Sequence, residues 1–214
     1  MSHRVLQCLV ALGLCVGTVL PSLAETFRES PLDAQTIHAV QQGGYVLYLR
    51  HGITDSAIPD QVPVDLNDCS TQRPLTTEGR KQMAFIGQSI AQAGFPVGEI
   101  YVSPFCRAIE SAQAAFGERE IVVEELLKYT AAMTRVEKTP VIQRTRELVS
   151  LPVTTAGKNR ALVAHGPNMA EIMNYFPPEG TLVVVRPLGA DSFEYVGSVR
   201  PEQWDELLLP PPWQ

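Results

Sequence analysis

Apolar residues in this chain fall into short continuous runs separated by stretches with helical spacing. Tyr45-Val46-Leu47-Tyr48-Leu49, Ile100-Tyr101-Val102, Ile121-Val122-Val123 and Ala161-Leu162-Val163-Ala164 read as four strands. Between them, helices are predicted over residues 76–93, 105–116 and 134–150, with Met83, Phe85, Ile86 and Ile90 forming the apolar side of the first. Gly94 ends that helix and Pro96 bars its return. A short helix over 33–40 stops at Gly43-Gly44, and another starts at Pro167 and runs to Tyr175. Leu182–Val185 and Phe193–Val199 are late strands that can pair antiparallel. Strands alternating with helices predict an α/β fold, a three-layer sandwich with a mostly parallel central sheet and helices on both faces. Residues 25–32 read as a polar arm, and residues 207–214, containing Pro210-Pro211-Pro212-Trp213, as a surface strap or a loose tail. Residues 53–74 form a loop rich in Pro and Asp, long enough to predict a functional role.

The N-terminus breaks this pattern. Sixteen uncharged residues, Val5 to Leu20, follow His3 and Arg4 and lead to Ser22-Leu23-Ala24. The run is short for a membrane span of about 20 residues. With its small-x-small site it reads as a signal peptide over 1–24, leaving a single domain over 25–214 in the periplasm or outside the cell. An uncleaved anchor is one alternative. A lipoprotein signal ending at Cys15 is another, although Leu14 is bulky where a small residue belongs. No other run is long enough to span a membrane. Composition adds little: 45% hydrophobic and 19% charged residues are globular values. The net charge of −6, which becomes −7 once Arg4 is removed, argues against nucleic acid as the main partner.

Candidate chemistry lies where the strands stop. Arg50-His51-Gly52, Ser103-Pro104-Phe105-Cys106-Arg107 and His165-Gly166 each follow an apolar run. In open α/β sheets the carboxyl ends of strands border the ligand crevice, so two histidines and two arginines should converge there. Gly52 and Gly166 would let the backbone approach a ligand, and the helix opening at Pro167 would turn free N–H groups, with Asn168, toward an anion. Arginine forks match phosphate oxygens, and a neutral imidazole is a competent nucleophile. The expected chemistry is phosphoryl transfer with no metal and no cofactor. Walker, H-E-x-x-H and G-x-S-x-G motifs are all missing from the sequence. Ser103 reads as a turn or cap residue, and His38 lies outside every motif.

Four segments resemble the first branch of the histidine phosphatase superfamily, the phosphoglycerate-mutase-like proteins. Leu49-Arg50-His51-Gly52-Ile53-Thr54 is similar to its R-H-G-x-T signature, and Pro74-Leu75-Thr76-Thr77-Glu78-Gly79 to its P-L-T-x-x-G helix start. Ser103-Pro104-Phe105-Cys106-Arg107-Ala108 is similar to S-P-x-x-R-A, and Ala164-His165-Gly166 to the second histidine motif. The resemblance implies that His51 is the phosphorylated nucleophile, that Arg50, Arg107 and His165 hold the phosphoryl group, and that Gly52, Thr54, Gly166 and Asn168 lie around it. It implies a small phosphorylated substrate. A secreted copy also resembles small periplasmic members acting on the core heptose phosphate of lipopolysaccharide, which points to a sugar or cell-envelope phosphate. The chain departs from the family at the proton donor. Where a Glu often follows a Leu, it reads Glu124-Glu125-Leu126-Leu127-Lys128, so Glu125, Asp55 and Asp68 are the candidates for a general acid. Without a dedicated acid, good leaving groups are favoured. A phosphate-ligand binding or regulatory protein on the same fold is the rival reading, and the oligomeric state stays open.

Cys69 and Cys106 are the only cysteines after the leader, and an oxidising compartment permits a bond between them. Both should border the pocket. The bond would stabilise by roughly 3–4 kcal/mol in the chain-entropy picture, and Cα atoms more than about 7 Å apart would rule it out.

Overall fold

Strand β1 (Val46–Arg50) is buried from Val46 to Leu49, and its side chains alternate between two cores. Leu47 and Leu49 face one core, while Val46 and Tyr48 face the other. This strand lies within the sheet of a computed structural model that describes residues 27–209. The leader expected over 1–24 and the last five residues of the tail lie outside the described residues.

Around β1 run α1 (Ala34–Gln41), α2 (Thr77–Gln92), β2 (Val97–Val102), α3 (Cys106–Phe116), β3 (Val122–Val123), α4 (Arg135–Ser150), β4 (Asn159–Ala164), α5 (Gly166–Met173), β5 (Leu182–Gly189), β6 (Ser192–Val199) and α6 (Trp204–Leu208). The sheet order is β3-β2-β4-β1-β5-β6. The first four strands in this order are parallel to one another, whereas β5 pairs antiparallel with β1 and with β6. One face is covered by Val40 of α1, Met83, Ile86 and Ile90 of α2, Ala108 and Ala112 of α3, and Trp204 of α6. The other is covered by Leu148 and Val149 of α4 and by Met169 and Ile172 of α5. The result is the three-layer, mostly parallel α/β sandwich that the pattern predicts.

Local sequence explains where the helices start. Thr76 caps α2 by accepting the Gly79 amide at 2.8 Å, and Thr134 and Glu137 form a reciprocal capping box on α4. Five details differ from expectation. Strand β2 begins at Val97, three residues early. Helix α5 stops at Met173, where Asn174 turns left-handed, two residues before the expected end. Phe85 is 38% exposed, because it sits about 100° around the helix from Ile86 on the flank of the buried stripe. The N-terminal arm is tied down: Pro31 bridges Ser198, and Leu32 is buried. The first two residues of the expected tail, Leu207 and Leu208, belong instead to α6, whose Trp204 is fully buried.

Candidate active site

Sheet register brings the reactive residues together. Arg50 lies beside Ala164 in the β1–β4 pair, so His51 and His165 leave neighbouring strands side by side. Val102 lies beside Val163 on the other flank of β4, which brings in Ser103 and, one helical turn later, Arg107. The histidine rings meet edge to face at 5.3 Å between centroids, and both are buried.

The two imidazoles are held by opposite nitrogens. His51 Nδ1–H donates to the Gly52 carbonyl at 2.9 Å, which leaves Nε2 as the unprotonated nitrogen of the neutral ring. His165 uses Nε2 instead, 2.7 Å from the Ser103 hydroxyl, and its buried Nδ1 has no partner. Ser103 also accepts the Phe105 amide. The backbone of His165 is fixed by Tyr48, whose hydroxyl donates to the His165 carbonyl at 2.7 Å and accepts its amide at 3.1 Å. Both imidazoles are held well below their ordinary value of 6.5, first by burial and then by the positive charge of Arg107. For His51 the Gly52 hydrogen bond opposes the shift, while Arg50 and Arg73 add to it.

Three arginines surround the pair. Arg107 is fully buried, stacked 4.5 Å from the Phe105 ring and 5.2 Å from that of Tyr129. Its Nη1 donates to Asp60 at 2.9 Å, while Nε and Nη2 are buried without a partner. Arg50 lies 4.7 Å over Phe176 and donates to the Pro177 carbonyl, and its Nε is also unpartnered. Arg73 is the third. Its charge acts on both histidines and both other arginines, and its Nε is buried and unpartnered. An orphaned buried donor costs about 1–3 kcal/mol. Several around one imidazole pair therefore make a site built for an anion. Burial lowers the Arg50 and Arg107 guanidinium groups, and Glu179 and Asp60 respectively raise them again.

The motif between Pro74 and Gly79 works as a clamp. The Thr76 amide and hydroxyl both donate to the Ile53 carbonyl, at 2.9 and 3.0 Å. A Cβ on Gly79 would lie 2.2 Å from that carbonyl, so only glycine lets α2 reach the loop carrying His51. The long loop is fastened to α3 as well. Cys69 and Cys106 are joined, with Cα atoms 5.8 Å apart. Gln72, nearly fully buried, accepts the Cys106 amide at 2.8 Å.

The remaining expected residues have other tasks. The Gly52 amide donates to Ser111 and its carbonyl serves His51, so neither group is free for phosphate. Its missing Cβ makes room for Met83 and the Gly79 carbonyl, and that of Gly166 makes room for Phe176 and Arg50. Thr54 holds Glu179 rather than facing an anion, with its hydroxyl donating at 2.7 Å. Asn168 donates to the Lys128 carbonyl at 3.0 Å and so pins the loop after β3. None of the three acid candidates has a hydrogen bond or ion pair to the histidines or arginines of the site, among the described residues. Glu125 is exposed and faces Lys128, Asp55 caps the turn at Ala57, and Asp68 caps the turn at Ser70. The carboxylates that reach the site are two the motifs did not mark. Asp60 accepts from Arg107 and from the Arg73 amide, and Glu179 lies 3.7 Å from Arg50 and 3.8 Å from His51 Nδ1. Arg73 had a signal, because it directly precedes the Pro74-Leu75-Thr76 clamp. Asp60 and Glu179 had none.

Residues 46–131 match the family model of the histidine phosphatase superfamily (branch 1). Among solved structures, an Escherichia coli K-12 protein assigned as an alpha-ribazole-5'-P phosphatase is similar at 12% identity, covering 74% of this chain and 98% of that one, with a TM-score of 0.57. The alpha-ribazole phosphatase of Shigella flexneri is similar at 12% identity over 71% and 94%, with a TM-score of 0.52. YhfR of Bacillus stearothermophilus is similar at 18% identity over 73% and 98%, with a TM-score of 0.51. No curated protein sequence matches the chain. At these identities the structural likenesses speak for the fold, while the family model speaks for the sequence around the first histidine and Arg107. Residues 46–131 of this chain thus match branch 1 of the histidine phosphatase superfamily in sequence, and the whole fold is that of the similar solved phosphatases.

Proposed function

We propose that the chain is a phosphatase that hydrolyses small phosphomonoesters through a phosphohistidine on His51. One observation carries the reading: His51, with Nε2 free, packs against His165 and lies close enough to Arg50, Arg73 and Arg107 to feel their charges, and each of these four neighbours has a buried nitrogen without a partner. In the first step the Nε2 lone pair attacks phosphorus, the P–O ester bond breaks, and the leaving oxygen takes a proton. In the second step water attacks phosphorus, the P–N bond breaks, and inorganic phosphate leaves with His51 neutral again. Arg50, Arg73, Arg107 and His165 hold the three equatorial oxygens, whose charge grows in the transition state. Asp60 is the carboxyl we assign to the leaving oxygen, because it joins Arg107 to the open cleft. The guanidinium groups supply the positive charge that such chemistry needs, so the reaction is expected to run without a metal ion.

Turnover of para-nitrophenyl phosphate tests this. Wild-type protein should hydrolyse it equally with and without EDTA, and His51→Ala should not hydrolyse it. A protein that only binds phosphate would leave the ester intact. Full activity in His51→Ala, or its loss in EDTA, would overturn the reading.

We further propose that the enzyme works in the periplasm or outside the cell. The apolar run ending at Ser22-Leu23-Ala24 supports this, and so does the Cys69–Cys106 bond, which suits an oxidising compartment. N-terminal sequencing of exported protein should begin at Glu25, and material still starting at Met1 would contradict it.

A further inference from the structure

The anion site opens into a cleft of about 570 Å³ between the long loop and the segment after β3. Continuity is direct, because Arg73, Asp60, Phe105 and Tyr129 line the cleft and also form or stack against the cradle. A phosphoryl group held by the arginines would therefore carry its leaving group into this space.

The walls are mainly apolar. Val62, Pro63, Val64 and Leu66 come from the long loop, and Ala132 and Met133 from the opposite side. Val62, 93% exposed, stands at the outer rim of the cleft. Most charged groups along the walls are already engaged. Glu137 serves the Thr134 capping box, Lys128 faces Glu125, and Asp60 serves Arg107. Apart from Arg73, which belongs to the cradle, Ser56, Gln61 and the Tyr129 hydroxyl are the side chains left for reading hydroxyl groups. A sugar needs many placed donors and acceptors, since burying an unpaired hydroxyl is costly. An apolar group needs only area and shape, and the volume suits a ligand of one or two rings.

Resting on the phosphatase reading, we infer that this cleft is a leaving-group subsite selecting phosphomonoesters of apolar alcohols or phenols over sugar phosphates. The loop supplies selectivity, while the strand ends supply chemistry. The cleft thus favours a substrate unlike the sugar phosphate that the family resemblance implies.

The test compares cyclohexylmethyl phosphate with glucose 6-phosphate. Both carry a six-membered ring on a primary phosphate ester, and they differ in polarity. kcat/KM should favour the cyclohexyl ester by at least about 10-fold, the low end of what one extra methylene in an apolar pocket gives. Met133→Gln and Leu66→Gln should each narrow that ratio. A parallel titration with cyclohexylmethylphosphonate and methylphosphonate, which cannot be hydrolysed, should show the same preference in Kd. His51-dependent turnover that is equal for the two esters, or better for glucose 6-phosphate, overturns the subsite and leaves the phosphatase reading standing. A preference for the cyclohexyl phosphonate with no turnover of any ester supports the subsite and overturns the phosphatase reading. Equal affinity for the two phosphonates overturns the subsite whether or not turnover is seen.

Discussion

The cradle and the cleft meet at Asp60 and Arg73, yet they are built in different ways. The cradle is fixed by the sheet. Its histidines follow paired parallel strands, Arg107 is stacked on Phe105 and Tyr129 and Arg50 on Phe176, its ring orientations depend on Gly52 and Ser103, and Tyr48 fixes the His165 backbone. The cleft is made of loops, held in place by the Cys69–Cys106 bond, the Gln72 contact with α3 and the Asp60 contact with the Arg73 amide. Substitutions in the cradle should therefore harm every substrate alike, whereas substitutions in the cleft should separate one substrate from another.

The largest effects belong to the cradle. Arg107→Ala should lower kcat by about 10²–10³ for alkyl and aryl esters alike, the usual cost of one preorganised donor. Parallel kinetics on phenyl phosphate and cyclohexylmethyl phosphate check this, and a loss confined to one ester would merge the two regions. Asp60→Asn should break the symmetry, slowing the alkyl ester more than the aryl ester, because a phenolate leaves without much help. Equal losses would remove Asp60 from proton transfer.

Next comes the fastening of the cleft. Cys69→Ser with Cys106→Ser should cost roughly 3–4 kcal/mol by denaturant titration. It should also raise KM for the cyclohexyl ester more than for phenyl phosphate, since the loop wall loses its anchor. Unchanged stability and KM would show that Gln72 and Asp60 hold the loop alone. Tyr48→Phe is a smaller change on the cradle side. It strands the buried His165 amide and carbonyl, and about 1–3 kcal/mol of stability should go with them.

The pH response should separate the regions too. Both site imidazoles lie well below 6.5 in the fold, so the unfolded chain takes up their protons first as pH falls. Stability from these two groups is complete above about pH 6.5 and is lost as pH falls toward their folded values. Ring NMR signals of His51 and His165 should stay in the neutral form well below pH 6.5. Titration near 6.5 would contradict the burial argument.

The cradle was more legible in the sequence than the cleft, for a physical reason. His51, His165, Arg50 and Arg107 sit next to continuous apolar runs, and a parallel sheet brings the ends of such runs to one edge. Arg73 could be read only with knowledge of the clamp that follows it. Asp60 and Glu179 depend on the path of loops far apart in sequence, which no periodicity encodes. Gly52 and Gly166 were legible as close approaches, but the approaching groups are protein: Met83 for one, Phe176 and Arg50 for the other. The acid candidates Glu125, Asp55 and Asp68 were read by proximity in sequence, and local turns take up the carboxylates of the two aspartates.

The central claim is that His51 carries the phosphoryl group. A rapid quench of wild-type protein turning over a ³²P-labelled phosphomonoester, followed by peptide mapping, tests it most directly. The account predicts an acid-labile, base-stable label on the peptide containing His51, absent from His51→Ala. Label on another residue, or steady turnover in His51→Ala, would contradict it.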